Sequence, residues 1–380
     1  MSGMPQIGIP PVARIGDPLA AVSTPALLIE LDAFEANVAA MAAAAQRHGL
    51  RLRPHAKAHK SSAIARRQLE AGAVGICCQK LSEAYPFVAA GILDIHISNE
   101  VVGPRKVAMA IDLARRARIS ICVDHPAQVD ALGAAATDAN VVLTVLPEVD
   151  IGQGRCGVAS TRDLLALVER IARHGGLRFG GLQAYHGGIQ HVASWEQRRV
   201  AADIAAEKAA QYVAYLDALG IRCAVVTGGG TGTVEFDMRT GVYTELQPGS
   251  YIFMDGHYGR NDWQGEWRAR HSLYIASTIM STAKPGLAVC DVGLKGVAVD
   301  SGLPLVKPGQ YGDVLQYVAA NDEHGMLQIV AGGLRDRLGD QLLLVPGHCD
   351  PTANLYAQYV CFRGDTVEDI WEIDARGLSQ

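Results

Sequence analysis

Leu52-Arg-Pro-His-Ala-Lys57-Ala-His-Lys60 is the stretch on which the reading of this chain turns. Helix-type patterns stand on either side of it, and within it the residues alternate. Arg53, His55 and Lys57 fall on one face and Leu52, Pro54 and Ala56 on the other, which is the period of a β-strand. Lysines are ordinarily solvated surface charges. A lysine at the carboxyl end of a strand, on the same face as Arg53 and His55 and close to Lys60, is expected instead to have a depressed pKa. An amine must lose its proton before it can form a Schiff base. Lys57 is therefore assigned the covalent attachment of an aldehyde cofactor, pyridoxal 5'-phosphate (PLP).

Outward from this strand, short apolar runs alternate with alanine-rich helical stretches. Further strands are expected at 26–32, 75–80, 95–99, 119–124, 141–150, 179–185 and 224–227. Helices are expected at 34–48, 61–71 and 195–219, and around Phe87, Met109, Val129 and Leu167. Strands joined by helices at this spacing make a parallel sheet, and a set of this length closing on itself makes a (β/α)8 barrel. From about Gln247 onward the long helices stop. Runs at 273–281, 288–291, 327–330, 341–345 and 359–362 read as strands of a β-rich second domain. The expected division is a barrel over 22–250, with 1–21 and 251–380 forming the second domain.

The 380 residues suffice for a large core, and the net charge of −5 is mild. No basic run points to nucleic acid or to an anionic membrane surface, and no apolar segment is long enough to span a bilayer. Residues 1–18 lack the basic-then-apolar order of a secretory signal. Eight cysteines with no C-x-x-C pair argue against structural zinc and suit a reducing cytoplasm.

In such a barrel the chemistry gathers at the carboxyl ends of the strands. Those ends are Lys57, Gln79, Asn99, Asp124, Asp150, Tyr185 and Thr227. Gly152-Gln-Gly-Arg-Cys-Gly157 fits the dinucleotide fingerprint, but the following strand ends in Gln183-Ala-Tyr-His186 with no acid for a ribose, so that reading is rejected. What remains is Arg155, either a turn residue or a fixed cation for the cofactor's phenolate oxygen. Gly228-Gly-Gly-Thr-Gly232, with Gly230 and Thr231, and Gln247-Pro-Gly-Ser250 are small-residue turns late in the barrel, where phosphate sites form. In Pro346-Gly-His-Cys-Asp-Pro351, His348 and Asp350 would point the same way in an extended segment. Their donor types suit Mn2+, Zn2+ or Mg2+ with open positions.

Together, R-P-H-A-K-A-H-K, C-C-Q-K (77–80), G-Q-G-R-C-G, Q-A-Y-H-G, G-G-G-T-G and P-G-H-C-D-P-T resemble the motifs of the D-threonine aldolase/D-serine dehydratase-like family, PLP enzymes of the alanine racemase fold type. The resemblance runs from about Thr24 to Gln380. It implies a head-to-tail homodimer, Lys57 as the Schiff-base lysine, Arg155 beside the phenolate and Tyr185 over the pyridine ring. It implies Thr231, Gly249, Ser250 and Tyr258 as phosphate contacts and Gln79 as a polar neighbour of the cofactor. Gln247 stands where alanine racemases keep an arginine facing the ring nitrogen, which argues against racemase activity. His348 and Asp350 match the family's metal pair, for Mn2+ first and Mg2+, Co2+ or Zn2+ otherwise; Asp350, where D-serine dehydratases show cysteine, points to the aldolase branch. The implied activity is metal-assisted cleavage of β-hydroxy-D-amino acids to glycine and an aldehyde. The alternatives are a D-3-hydroxyamino-acid dehydratase, of the D-serine or D-threo-3-hydroxyaspartate type, and a PLP-binding protein without catalysis. His191, just beyond the strand that ends at Tyr185, reads from its position as the base for the cleavage or as an ordinary loop histidine.

Overall fold

In a computed structural model that describes residues 9–331 and 337–380, the helix Thr161–Ala172 shows how the first domain assembles. Ser160 caps it, its hydroxyl accepting the Asp163 N–H. Leu164, Leu167, Val168 and Ile171, buried at three- and four-residue steps, form its inner stripe. Leu31–Arg47, Ser62–Glu70, Leu81–Ala89, Pro104–Ala114, Pro126–Asp138 and Trp195–Ala218 are the other long helices of this half, where the sequence places them.

Two parallel sheets make the barrel wall. One joins Ile76–Cys78, Asp94–Glu100, Arg118–Val123, Leu143–Pro147 and Leu177–Phe179; the other joins Arg51–Leu52, Glu245–Leu246, Val225–Gly228 and Gly181–Ala184. Parallel bridges between His55 and Cys77 and between Glu148 and Gln183 tie their edges together, so the wall closes. The chain steps from one sheet to the other at Gly180 and Gly181. A Cβ on Gly181, at φ +133°, would stand 1.8 Å from the Val225 carbonyl oxygen, so only glycine passes there. Counted once, this broken strand leaves the eight positions of a (β/α)8 barrel.

One of the eight is not the strand expected. The run 26–32 forms the strand Ala26–Glu30, but it lies in the second domain, antiparallel to Leu273–Lys284 and parallel to Gln358–Arg363. Buried along most of its length, a central strand of that sheet reads like a barrel strand. Its place in the barrel goes to Glu245–Leu246, paired with Arg51–Leu52 and Val225–Gly228 and too short to register as an apolar run. The strand Ala26–Glu30 thus belongs to the sheet of the second domain rather than to the barrel wall.

That domain is built on a nine-stranded sheet. Of its strands, Leu273–Lys284, Leu287–Cys290, Gly325–Ile329, Gln341–Val345 and Gln358–Arg363 lie on the expected runs; Leu305–Val306, Leu315–Ala320 and Thr366–Glu372 went unread. The leader joins it through the Gly16 N–H, which donates to the Val367 carbonyl, and a bridge between Pro18 and Thr366. The expectation for Met1–Gly8 lies outside the described residues. Among the described residues, no helix is long and apolar enough to cross a membrane.

Candidate active site

Lys57 follows its strand instead of ending it. Beyond Arg51–Leu52 the N–H groups of Arg53 and His55 continue the ladder to the carbonyls of Leu246 and Pro248. Pro54 has no N–H to give and only accepts, taking the Cys77 N–H at 2.8 Å. The chain then winds into the 3-10 turn Ala56–Ala58, capped by His55, whose Nδ1 accepts the Lys57 N–H at 3.3 Å. His55 Nε2 is left to donate to Ser98 Oγ at 2.8 Å. The turn delivers the Lys57 side chain, 42% exposed, to a cavity at the carboxyl ends of the strands.

The crowding of like charges expected around Lys57 is absent. Arg53 pairs with Glu245 Oε1 at 2.9 Å and Asp94 Oδ1 at 2.8 Å, and Lys60 pairs with Glu83 at 3.3 Å. His55 is neutral, its pKa lowered to about 3 by burial and then by Lys57. Lys57 itself meets Asp350 Oδ2 at 2.5 Å. Burial pushes the ammonium down, yet the Asp350 charge outweighs it and the net shift is upward, opposite to expectation. Burial likewise works against ionised Asp350, but Lys57 and His348 outweigh it and hold the carboxyl well below its usual range. The amine assigned to the cofactor and the carboxylate assigned to the metal are therefore an ion pair.

The cavity gathers every residue assigned to the cofactor. Thr231 lines it together with Gly230, Gly249, Ser250 and Tyr258. Its buried hydroxyl has no partner among the described residues, a penalty that a phosphate oxygen would relieve. Gln190 shapes this loop: its Oε1 accepts the Gly232 N–H at 2.9 Å, and a Cβ on Gly230 would stand 2.5 Å from that oxygen. Gln247 Nε2 donates to Gln183 Oε1 and Thr227 Oγ1, both at 2.9 Å, and presents a neutral amide. Gln79 donates to the Ser98 carbonyl at 3.2 Å. The Arg155 guanidinium lies 5.8 Å from the Tyr185 ring centre. Its Nη2 lies 3.7 Å from Oε1 of buried Glu148, whose pKa is raised by burial and then by the Glu100 charge, with Arg155 opposing the shift. Neutral donors for an anion, an aromatic wall, a fixed cation and a lysine in one cavity fit PLP. The other polar strand ends hold loops: Asn99 donates to the Gln79 carbonyl, Asp124 accepts the Gly157 N–H, and Asp150 accepts those of Gly152 and Gly154.

His348 and Asp350 do not share an extended segment. His348 precedes the short helix Cys349–Ala353, and Asp350 lies in its first turn. Asp255, fully buried, ties this turn to the short helix Gly256–Gly259 by accepting the N–H groups of Cys349 at 2.9 Å and Tyr258 at 2.8 Å. His348 Nδ1 lies 2.7 Å from Asp300 Oδ2. That contact orients the ring and leaves Nε2 as the ligand atom, the way ligating imidazoles are commonly held. One imidazole and one carboxylate fit a divalent cation with open positions. Both residues, with Lys57, Ala298 and Val299, line a cleft leading outward between the domains. Among the described residues the only cluster of three donors is Glu100, Asp124 and Cys156, within 4.8 Å of one another.

His191 stacks on His257, with ring centres 3.5 Å apart and planes within 4°, and lies 4.2 Å from the Tyr258 ring. Burial, then His257 and His348, lower its pKa to about 3, so the imidazole is neutral; its Nδ1 is buried without a partner among the described residues. Sequence reasoning missed His257, Asp300, Asp255 and Gln190. Of these, His257, beside the assigned Tyr258, and Gln190, beside the assigned His191, had neighbours in the sequence that could have pointed to them.

Residues 29–257 match the family model of the alanine racemase N-terminal domain, and 272–362 match that of a putative serine dehydratase domain. The chain is 51% identical to a D-threonine aldolase of Arthrobacter sp over 98% of both chains. It resembles the crystal structure of D-threonine aldolase from Filomicrobium marinum with a TM-score of 0.94 at 43% identity, covering 98% of this chain and 100% of that one. It also resembles D-threo-3-hydroxyaspartate dehydratase from Delftia sp. HT23, with a TM-score of 0.84 at 29% identity, covering 94% of this chain and 98% of that one. A cysteine-to-alanine variant of a dehydratase of that name has been solved in a metal-free form.

Proposed function

The chain belongs to the D-threonine aldolase family, with an alanine racemase-type N-terminal domain and a serine dehydratase-type C-terminal domain, and we propose that PLP and a divalent metal serve its cleavage of β-hydroxy-D-amino acids of the D-threonine type to glycine and an aldehyde. It is an aldehyde-lyase of that family. The observation that carries the reading is the 2.5 Å contact between Lys57 and Asp350. It brings the cofactor's lysine and a metal ligand to one point, so both can act on the adjacent Cα and Cβ of a single substrate.

Bound PLP supplies an electron sink for the charge left at Cα. A divalent cation, Mn2+ in this reading, supplies Lewis-acid polarisation of the β-hydroxyl. His348 Nε2 and the Asp350 carboxylate would hold that cation, with Asp300 fixing the imidazole. Lys57 must give up its proton and release Asp350 before it can bond to an aldehyde, which would leave the Asp350 carboxylate free to hold a divalent cation. Thr231, Gly249, Ser250 and Tyr258 would hold the phosphate, and Arg155 would offer its charge to the phenolate oxygen. Gln247 keeps a neutral amide where a cation would otherwise stand. His191, neutral and with no partner at Nδ1 among the described residues, takes the proton of the β-hydroxyl. A homodimer in a reducing cytoplasm completes the proposal, and the eight cysteines, none in a disulfide, support that compartment.

The dehydratase alternative draws on the likeness to the Delftia enzyme, but Asp350 rather than cysteine at the second position of the metal pair supports the aldolase. Kinetics on the four threonine stereoisomers test the substrate class. D-Threonine and D-allo-threonine should both be cleaved, differing by about 1–2 kcal/mol in transition-state binding, because no charged or hydrogen-bonding motif is assigned beyond the β-oxygen. Inverting Cα swings the hydroxyl away from the metal turn, so cleavage of L-threonine or L-allo-threonine at a comparable rate would refute the assignment.

A further inference from the structure

Arg198 is fully buried, yet among the described residues it forms no ion pair. All its hydrogen bonds go to backbone carbonyls. Nε donates to Gly232 at 2.8 Å, Nη2 to Asp262 at 2.6 Å, and Nη1 to Val192 and, at 3.2 Å, to Ala193. Trp195, Phe236 and Trp263 surround the guanidinium, with ring centres 5.6, 6.0 and 5.1 Å away. Glu235 and Asp262 act on it only through space, and burial depresses its pKa. A cation enclosed by carbonyls and aromatic faces is expensive to keep, and an arginine does not escape by losing its proton.

Its position suggests what the charge is for. Gly232 closes the loop whose Thr231 hydroxyl has no partner among the described residues, and Val192 and Ala193 directly follow His191. Thr231, Gly249, Ser250 and Tyr258, assigned to the phosphate, are all neutral donors. A phosphate there would be a dianion, and a charge held in a poorly polarisable interior acts over a longer range than one in water. We propose that Arg198 is a positioning residue for this subsite: its buried charge favours a phosphate on the Gly228–Gly232 loop, and its planar fork joins that loop to the segment carrying His191. This rests on the PLP reading above.

The test compares PLP with pyridoxal, which lacks the phosphate, by titrating apoprotein and following the absorbance of covalent capture. Arg198→Met keeps much of the bulk and removes the charge. It should weaken PLP binding by about tenfold or more while pyridoxal binding changes by less than about threefold. Arg198→Lys keeps the charge and should stay within about threefold of wild type in its preference for PLP over pyridoxal. If Arg198→Met does not fold, Arg198→Gln, which retains amide donors without charge, is read in its place. Parallel loss of both ligands in the uncharged variant, an undiminished PLP affinity, or an equal loss of preference in Arg198→Lys would each overturn the proposal. Wild-type protein that captures neither ligand would sink the PLP assignment itself, a result distinct from these.

Discussion

Lys57→Ala should fold, fail to capture PLP covalently, and cleave D-threonine slower than wild type by on the order of 10⁴-fold or more. The amine is the one group assigned to bond the cofactor, and no neighbouring lysine is free to replace it in the same geometry. Lys60 is tied to Glu83 at 3.3 Å and to Asn354 Oδ1 at 3.1 Å, and Lys80 lies in the outer cleft rather than in the cavity that holds Thr231 and Tyr185. Removing Lys57 also takes the cation from Asp350, whose side chain is only 12% exposed. An unpaired buried carboxylate seeks another positive charge, so the variant should bind a divalent cation at least as tightly as wild type. Borohydride reduction of wild type loaded with PLP should label Lys57; label on Lys60 or Lys80 would contradict the assignment.

His348→Ala should leave covalent capture of PLP intact and lower turnover by on the order of 10³-fold or more, a loss of several kcal/mol of Lewis-acid assistance. The separation of the two effects comes from the architecture. His348 stands on the second domain, oriented by Asp300 at 2.7 Å, while the phosphate loop Gly228–Gly232 belongs to the barrel. Asp350 links the two halves through Lys57, so substitutions there perturb both, whereas His348 does not touch the amine directly. Chelation should reproduce the variant in wild type, and added Mn2+ should restore wild type without restoring the variant. Full turnover in metal-stripped His348→Ala would show that the metal turn has no part in the chemistry.

Where sequence spoke and where it did not follows from the range of the forces involved. The barrel was legible because a period of two and helical stripes such as Leu164–Ile171 are local patterns. Most of the residues that line the cavity could be singled out because they sit in short motifs at strand ends, whereas Tyr258, on the short helix Gly256–Gly259, was named only through the family resemblance. Glu245–Leu246 was not, because two residues carry no period. Ala26–Glu30 misled because a strand buried in either domain has the same composition. The charge of Lys57 came out reversed for a different reason: Asp350 lies 293 residues away in the chain, and no window around Lys57 contains it. Arg53 and Lys60 looked like crowding cations only because their partners, Glu245, Asp94 and Glu83, are also supplied by the fold. Asp300 and Arg198 were invisible for the same cause, since neither stands in a motif and each acquires its role through contacts made only after folding.

Product analysis of D-threonine turnover with purified protein, PLP and Mn2+ bears most directly on what Lys57, His348 and Asp350 do together. With the Cα–Cβ bond as the one that breaks, glycine and acetaldehyde should appear in equal amounts, with 2-oxobutanoate at trace level. 2-Oxobutanoate and ammonia as the main products would mean that the β-hydroxyl leaves while the Cα–Cβ bond survives, and the site would be that of a dehydratase.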